Sequence, residues 1–427
     1  MLVCTLFALL AQEPIRPSRT ETITPIRNAR FNKGGKAQKR VQGGNPRTAG
    51  SVLMFDSSMD GNRQVDPQVA VGGGYVLHGT NSGIVIYDKK GNYVDGVPQK
   101  EFNDGIDPKM FYDHHNRYFC FDLWVYWDKE KVKPVNISAS ETADPRGAWN
   151  TYPVPAPNGV DGGGIGFSRK WIGYSFPGGE ERNFVLKAAD VKKGKPAKVW
   201  HFKGSIGHPV NTTDSLADLL FVDLTDKDII ISRVGEGDNG DPVVVSQTRK
   251  PHGFKYFGWP PASPMKGTDK KTASGDRNPK NLQLIGGHIY FSQAVNINGR
   301  AGVQFNKFAL DGTRVQTGWL SHPTNSYIET TMAVNKSGDV LVGFQETGPD
   351  MSISARAALF SRNDPTWLNP KIFKFAEGIA PTEGGAWGDY SGTVVDGDNL
   401  NDFWTIQSYA NDKGRGSTII AKVPPKS

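Results

Sequence analysis

Two segments of this chain repeat one pattern, and that repeat limits the possible folds more than any other feature. The first is VDPQVAVGGGYVLHGTNSGIVIYDKKG from Val65, and the second is IDPKMFYDHHNRYFCFDLW from Ile106. Each begins with Asp-Pro, continues as a short alternating strand, turns, and enters a second apolar strand. Asp66 and Asp107 are 41 residues apart. A period of roughly 40–50 residues built only from strands is typical of a β-propeller.

Strand-like segments recur to the end of the chain and divide into seven units. The 427 residues suit one large propeller, because each blade adds a small core of its own. The units are marked in order by GIVIYDKKG, NISASETADPRGAW, GGGIGFSRKWIGYSF, SLADLLFVD, LQLIGGHIYFSQAV, YIETTMAVNKSGDVLVGFQE and WGDYSGTVVDGDNLNDFWTIQSYA. We therefore predict an all-β fold, a seven-bladed β-propeller. Six or eight blades stay open, since the fourth unit is weakly marked.

The strand SVLMFD, residues 51–56, precedes the first unit and has no partner within it. A propeller must close its ring, and an N-terminal strand can complete the last blade. We predict that this strand pairs with STIIAKV, the last strand of the seventh unit. Such closure removes exposed sheet edges.

The N-terminal region differs from the rest in composition. Residues 1–11, MLVCTLFALLA, are apolar and end in small residues, which is typical of a signal peptide and predicts secretion, extracellular or periplasmic. Residues 12–50 hold nine basic and two acidic residues and thus the whole formal net charge of +7. Because this stretch has few large apolar residues, we predict a disordered basic leader before a propeller domain at 51–427. The leader would either bind an anionic surface or act as a solvated spacer.

Composition also argues against several partners and cofactors. No apolar run after the N-terminus is long enough for a membrane span. Beyond the signal peptide only Cys120 remains, in an apolar stretch, so we expect a buried thiol and no internal disulfide. Neither Cys-x-x-Cys nor His-x-x-x-His occurs, so no zinc signature is present. The basic leader lacks interleaved aromatic residues, which disfavours nucleic acid. We expect a monomer.

Several segments in order along residues 56–423 carry a resemblance to known proteins. They are DGNRQVDPQVAVGGGYVLHGTN, IDPKMFYDHHNRYFCF, ISASETADPRGAWNTYPV, YIETTMAVNKSGDVLVGFQE and WGDYSGTVVDGDNLNDFWTIQSYA. Together they resemble a broad family of secreted bacterial β-propellers of the sialidase-like repeat kind. The most specific part is Trp387-Gly-Asp-Tyr390 with Phe403-Trp404 downstream. The resemblance implies a propeller and export, and it supplies no reaction.

The chain departs from that family at several positions. Ile328-Glu329-Thr330 stands where such proteins often have Pro-Ser, and Asp396-Gly397 stands where Asp-Pro is expected. A true sialidase is not supported, because its Asp-box turn needs Ser, Asp, Gly and Trp at fixed spacing. The nearest match, SRNDPTW at residues 361–367, has Asn at the Asp position and Pro where Gly belongs.

Inner strands of a propeller converge on its axis, so residues at their starts are the candidates for chemistry. The candidate catalytic residues are Glu329, Asp389, His208, Arg233 and Arg356. Two carboxylates about 5–10 Å apart would support glycoside hydrolysis. The two arginines could clamp a carboxylate with two hydrogen bonds. For Asp66 and Asp107 we favour a structural role, since Asp before Pro caps a turn and structural residues are the ones that repeat.

Aromatic residues beside Asp389 are candidates for sugar binding. Trp387 and Tyr390 could form a flat platform for a sugar ring, or could wedge between blades. Residues 235–280 form a long polar stretch, and long loops on a rigid scaffold often bind ligands. The remaining candidate substrate-binding residues are Trp259, His252 and Arg63.

Two loops are rich in oxygen ligands that calcium prefers. The candidate ligands are Asp56, Asp60 and Asn62 in the first loop and Asp396 and Asp398 in the second. Neither loop has EF-hand spacing, so calcium is a possible cofactor and no other cofactor is expected. His114 and His115 could bind a metal or act as a base, but we favour a hairpin turn as the explanation for this pair.

Two functions fit the sequence. In the first, the protein is an exported module whose face binds a polysaccharide, a surface glycan or a protein. In the second, it is a carbohydrate-active enzyme, a glycoside hydrolase or polysaccharide lyase acting on an acidic polysaccharide at the axial mouth. The first function is favoured, because a structural role explains each candidate acid, base or nucleophile at least as well as a catalytic role does. A mouth that gathers carboxylates would favour the second.

Overall fold

The chain forms a seven-bladed β-propeller, which confirms the predicted fold. The computed structural model describes residues 13–28, 46–57, 66–103, 105–124, 134–156, 163–364 and 366–425. The predicted signal peptide at residues 1–11 lies outside the described residues. Seven sheets, each built around one of the predicted units, surround a central axis, and a separate two-stranded hairpin lies outside them. All strand pairs in these sheets are antiparallel except that of Asn211–Thr212 with Lys280–Ile285, which is parallel.

Blades 1 to 3 contain the first half of the ring. From the axis outwards, blade 1 comprises Gln68–Gly72, Tyr75–Thr80, Gly83–Asp88 and Tyr93–Pro98. Blade 2 comprises Ile106–Asp113, Tyr118–Trp124, Pro134–Ser140, Trp149–Pro155 and Ile26–Asn28. Blade 3 comprises Gly164–Phe167, Trp171–Ser175, Asn183–Lys187, Ala197–Phe202 and Arg19–Ile23.

Blades 4 to 7 complete the ring. Blade 4 comprises His208–Pro209, Leu219–Leu224, Asp228–Glu236 and Pro242–Pro251. Blade 5 comprises Asn211–Thr212, Lys280–Ile285, His288–Ile297, Arg300–Ala309 and Arg314–Leu320. Blade 6 comprises Ser326–Val334, Val340–Gly348, Met351–Phe360 and Lys371–Gly378. Blade 7 comprises Gly392–Val395, Phe403–Ala410, Gly416–Val423, Val52–Ser57 and Arg47–Ala49.

Helix is scarce in the described part of the chain. A 3-10 turn covers Gln99–Phe102, and a short α-helix covers Ala188–Lys192. Neither helix has the length or the apolar character that crossing a membrane requires.

The ring is closed by the N-terminal strand of the propeller domain, as predicted. Val52–Ser57 pairs antiparallel with Gly416–Val423, and Phe55 lies opposite Ile420. The last blade therefore combines the start and the end of the domain. The backbone groups along this edge of Gly416–Val423 are therefore hydrogen-bonded within blade 7. Closure of this kind covers a sheet edge that would otherwise be exposed.

The core lies between the blades. Each of the seven interfaces between neighbouring blades holds one cluster of buried apolar side chains. Between blades 2 and 3, the rings of Phe111 and Phe167 stack with centroids 4.6 Å apart. Between blades 7 and 1, Phe55 meets Tyr87 at 5.0 Å. Aromatic side chains supply much of this contact because they bury large areas in fixed geometries.

The prediction of a disordered leader at residues 12–50 is wrong for its described part. Arg19–Ile23 forms the outermost strand of blade 3, and Ile26–Asn28 forms that of blade 2. Arg19 pairs with Glu181 at 3.0 Å, and Arg27 pairs with Glu141 at 2.8 Å. The composition argument fails here because a polar strand needs no core of its own when it pairs with a distant exposed edge.

The stretch at residues 235–280 is also more structured than predicted. Pro242–Pro251 forms the outer strand of blade 4. The remainder, residues 252–279, is called the mouth insert below. It contains the hairpin of Ser263–Met265 and Thr268–Thr272, which packs on blade 6. Thr272 also bridges to Gly385 before blade 7, so the insert extends along one end of the ring.

We expect Phe55→Ala to lower the free energy of unfolding by about 3–5 kcal/mol, since it leaves a cavity at the closing interface. Leu53→Ala on the same strand is the control, because Leu53 is only partly buried and should cost less. Urea unfolding followed by circular dichroism measures both. Equal losses in the two variants would contradict a role for Phe55 in closure.

Candidate functional site

One cavity occupies the axis of the propeller and has a volume of about 340 Å³. The starts of the inner strands converge on it, as the sequence predicted for a propeller. The polar residues that line it include Asp107, Lys109, His208, Asp276, Lys280, Asp389 and Tyr390. The cavity thus gathers carboxylates, ammonium groups, an imidazole and a phenol from blades 2, 4, 5 and 7.

Asp276 and Lys280 form an ion pair at the wall of the cavity. The Lys280 Nζ donates to the Asp276 Oδ2 at 3.1 Å. Burial alone would lower the pKa of Lys280, but the charges of Asp276 and Glu329 outweigh it and raise that pKa. Burial would raise the pKa of Asp276, but Lys280 and the backbone N–H of Asn278 lower it overall. Both side chains are therefore charged at neutral pH.

Glu329 lies behind this wall and has an unusual environment. Glu329 is 3% exposed, and neither of its carboxylate oxygens has a hydrogen-bond partner among the described residues. Burial raises the pKa of Glu329 well above its usual range, although the charge of Lys280 opposes the shift. The carboxyl group packs against Gly275, where a Cβ would come within 3.2 Å of it. Glu329 is thus a buried carboxyl group whose ionised form is disfavoured.

The backbone is strained at three inner-strand starts. Asp107, Asn281 and Glu329 have φ values of 56°, 48° and 47°, in the left-handed region. A non-glycine residue there costs roughly 1–3 kcal/mol, and such residues cluster at functional sites. In blades 5 and 6 the strain coincides with a shift of strand register between Lys280 and Gln283 and between Ile328 and Thr331.

Lys109 and Tyr390 form the aromatic part of the cavity. The Lys109 Nζ lies 3.0 Å from the centroid of the Tyr390 ring. Burial lowers the pKa of Lys109 to about 8, although the charge of Asp122 opposes the shift. The Tyr390 hydroxyl has no hydrogen-bond partner among the described residues, and burial raises its pKa well above the usual value. The phenol is therefore neutral, and its hydroxyl oxygen is enclosed within the cavity wall.

The aspartates of the two Asp-Pro pairs, Asp66 and Asp107, lie in different environments. Asp66 accepts hydrogen bonds from the Asp389 backbone N–H at 2.7 Å and from Asn81 Nδ2 at 3.1 Å. It therefore joins blade 7 to blade 1, in line with the structural role that we favoured. Asp107 instead lines the cavity, and its N–H donates to the Asn81 Oδ1 at 2.7 Å.

Three predicted catalytic residues lie at or beside the cavity. Asp389 and His208 line it, and Glu329 lies behind its wall. The His208 Nδ1 is 3.2 Å from the Ser175 Oγ, and burial lowers the pKa of His208. The imidazole is therefore neutral at pH 7.

Neither predicted arginine reaches the cavity. Arg233 lies on the third strand of blade 4, is exposed, and pairs with Asp218 at 2.5 Å. Arg356 is 1% exposed within blade 6 and binds Glu346 at 2.9 Å and Glu377 at 2.6 Å. Each guanidinium neutralises carboxylates of its own blade and lies away from the axial mouth, and the catalytic role of both stays a prediction.

Of the predicted binding residues, Tyr390 lines the cavity, whereas Trp387 is 2% exposed. The Trp387 indole N–H donates to the Gln345 Oε1 at 2.8 Å, so this ring fills the interior and offers no platform. His252 is buried and stacks on Phe254 with centroids 4.1 Å apart. Trp259 is an exposed residue of the mouth insert. Arg63 lies outside the described residues.

The predicted calcium ligands are engaged by cationic side chains. The Lys89 Nζ contacts Asp396 and Asp398 at 2.6 Å each, and therefore holds the place that a calcium ion would take. Asp56 pairs with Arg47 at 3.2 Å. Asp60 and Asn62 lie outside the described residues. No group of three or more His, Cys, Asp or Glu side chains suited to a metal occurs within the described ranges.

The two neighbouring histidines of blade 2, His114 and His115, contact the backbone next to blade 5. The His114 Nε2 is 3.1 Å from the Thr213 carbonyl oxygen, and the His115 Nε2 is 3.0 Å from that of Thr212. Each imidazole is thus held by the backbone beside blade 5, which agrees with a role in a turn and leaves no open metal position between them.

Sequence reasoning missed Lys109, Asp276 and Lys280 as site residues. Lys109 directly follows the second Asp-Pro pair, so its position at an inner-strand start was visible in the repeat. Asp276 and Lys280 lie where the mouth insert meets the inner strand of blade 5. The sequence feature that could have indicated Asp276 and Lys280 is their place at the end of the long polar stretch, where the chain must return to the axis.

Comparisons with known proteins give similarity to solved structures only, at low identity and low TM-score. No family model matches the chain. No curated protein matches it either. Among solved structures it is similar to a quinonprotein alcohol dehydrogenase-like protein from Bacteroides thetaiotaomicron, with TM-score 0.41, 11% identity, and coverage of 75% of this chain and 68% of that one.

Two carbohydrate-related structures are also similar at low identity. One is a subtype N10 neuraminidase-like protein of A/little yellow-shouldered bat, with TM-score 0.31, 11% identity, and coverage of 58% and 73%. The other is an ulvan lyase of a new polysaccharide lyase family, with TM-score 0.29, 10% identity, and coverage of 92% and 82%. These likenesses carry no argument about function. The structure itself shows a β-propeller fold. Membership of the sialidase-like propeller family stays a prediction.

We expect Asp122→Asn to lower the pKa of Lys109 below about 8, because Asp122 supplies the largest charge that favours the ammonium form. The pH dependence of Lys109 acetylation, followed by mass spectrometry, measures this pKa. Asp311→Asn is the control, since Asp311 pairs with Lys250 on the surface of blade 5. An unchanged or raised Lys109 midpoint in Asp122→Asn would contradict the electrostatic description.

Proposed function

We propose that the axial cavity binds a sugar residue and that the protein is a carbohydrate-binding propeller. The observation that supports this most directly is the lining of the cavity. Asp276 and Lys280 line the cavity and are fixed by their ion pair. Sugar hydroxyls donate and accept hydrogen bonds, so they match such fixed polar groups. A volume of about 340 Å³ falls in the range of small-ligand sites.

The charges favour a neutral sugar. Among the lining residues that the structure describes, three carboxylates face two ammonium groups. An acidic sugar would therefore meet at least as much negative as positive charge. The acidic polysaccharide expected from the sequence is thus the weaker candidate ligand. We further propose that binding occurs outside the cytoplasm, on a secreted monomer, if residues 1–11 direct export.

We expect Asp276→Asn to weaken binding of a neutral glycan roughly 10- to 100-fold, as for the loss of a hydrogen bond to a charged group. An array of neutral and acidic glycans identifies the ligand, and calorimetry measures its affinity. Asp228→Asn is the control, because Asp228 forms a comparable pair with Arg249 on the outside of blade 4. Binding of acidic glycans only, or equal affinities in the two variants, would contradict this proposal.

A second candidate function is hydrolysis of a glycosidic bond, and Glu329 is the observation that favours it. Two-carboxylate hydrolysis needs one protonated acid and one ionised carboxylate. Glu329 would give its proton to the glycosidic oxygen, and Asp389 or Asp276 would take a proton from the attacking water. Because Glu329 lies behind Gly275, direct transfer requires that segment to shift, so binding is the primary proposal.

If the protein is a hydrolase, Glu329→Gln should abolish turnover while binding persists. The assay measures reducing ends released from each polysaccharide that the protein binds. Wild-type activity should fall as pH rises through the raised pKa of Glu329, since only the protonated acid donates. Release of no reducing ends from any bound polysaccharide would exclude hydrolysis and leave binding intact.

A further inference from the structure

We propose that Trp259 and Arg277 of the mouth insert form a second, outer sugar subsite, which receives the next residues of a glycan held in the axial cavity. This proposal rests on the proposed binding function. It adds a site and a ligand feature: the protein binds an oligosaccharide chain more tightly than a single sugar unit.

Trp259 is unusually exposed for its type, at 59%. A large aromatic ring is normally buried when nothing binds it, and exposed tryptophans are common at recognition surfaces. An aromatic face packs well against the C–H face of a neutral sugar ring, which buries apolar area without any charge on the ligand. The residue thus matches the neutral sugar favoured by the cavity.

Arg277 holds this ring in place. Its guanidinium carbon lies 5.5 Å from the centroid of the Trp259 ring and 4.4 Å from that of Phe257. Its Nη1 donates to the Phe257 carbonyl oxygen at 3.1 Å, and its Nη2 donates to Asp226 at 2.8 Å. Because these contacts order the guanidinium and the loop that carries Trp259, the ring is preorganised before a ligand arrives.

The subsite is continuous with the cavity. Arg277 lies between Asp276 and Asn278 in the chain, and both of these residues line the cavity. The Gln293 Nε2 donates to the Arg277 carbonyl oxygen at 2.6 Å, which fixes this segment to blade 5. The outer platform is therefore attached directly to the rim, so a chain that leaves the cavity on this side passes Trp259.

A second exposed tryptophan offers a matched control. Trp319 is 42% exposed and lies on the outer strand of blade 5. Its ring meets Tyr256 at 5.8 Å, and the Lys255 Nζ lies 5.9 Å from its centroid. Trp319 touches the mouth insert through Tyr256, but no cation–π contact joins it to Arg277 among the described residues.

The test compares disaccharides and hexasaccharides of the cello-, malto- and xylo- series by calorimetry. For the series that binds, we expect Trp259→Ala to weaken hexasaccharide binding about 10-fold, with disaccharide affinity unchanged. Trp259→Phe should keep most of the hexasaccharide affinity, and Trp319→Ala should keep all of it. Because Trp259 is exposed, its replacement should not alter the thermal unfolding midpoint.

The outcomes separate the two proposals. Unchanged hexasaccharide affinity in Trp259→Ala, with disaccharide affinity lost in Asp276→Asn, would overturn the outer subsite alone. Equal losses in Trp259→Ala and Trp319→Ala would also overturn it, since they would indicate a general apolar surface. Failure of the wild-type protein to bind either the disaccharide or the hexasaccharide of any series would also overturn the outer subsite. Binding of acidic glycans only would overturn both proposals.

Discussion

Apolar packing between neighbouring blades is the interaction on which the whole molecule depends. Each sheet has two faces, and each face is buried against another blade, as Phe111 is against Phe167. A single blade therefore has no complete core, and its stability comes from its neighbours. The same packing sets the distance of the inner strands from the axis, and thus leaves the cavity open.

The site follows from this arrangement because the axis is where polar groups can be placed without disturbing the interfaces. Asp107, Asn281 and Glu329 adopt left-handed backbone conformations at the inner-strand starts. The cost of roughly 1–3 kcal/mol for each is tolerable in a ring with seven packed interfaces. These three positions lie at inner-strand starts near the cavity, whereas other left-handed residues, such as Asn298 and Trp367, lie between other strands.

The fold was largely predictable, and the site was predictable only in part. The spacing of Asp66 and Asp107 indicates blades, and the unpaired strand at residues 51–56 indicates closure. The same motif nevertheless has two roles, because Asp66 caps the Asp389 backbone while Asp107 lines the cavity. Which carboxylate meets a lysine depends on how distant loops return to the axis, and the sequence of one loop does not contain that information.

Partners that are distant in sequence explain the remaining differences. Arg356 looked like a ligand clamp until its partners Glu346 and Glu377 appeared on adjacent strands. Arg19 looked like part of a disordered leader, but it lies opposite His201 on blade 3. In both cases local composition was read correctly, and the long-range pairing decided the structure.

The closing strand has a consequence for how the protein is made. Val52–Ser57 leaves the ribosome well before its partner Gly416–Val423, because most of the propeller lies between them in the sequence. Until then the apolar side chains of Val52, Met54 and Phe55 lack their final neighbours. The nascent chain is therefore an open arc with one exposed apolar edge until the partner strand emerges, and such an edge is prone to wrong pairing.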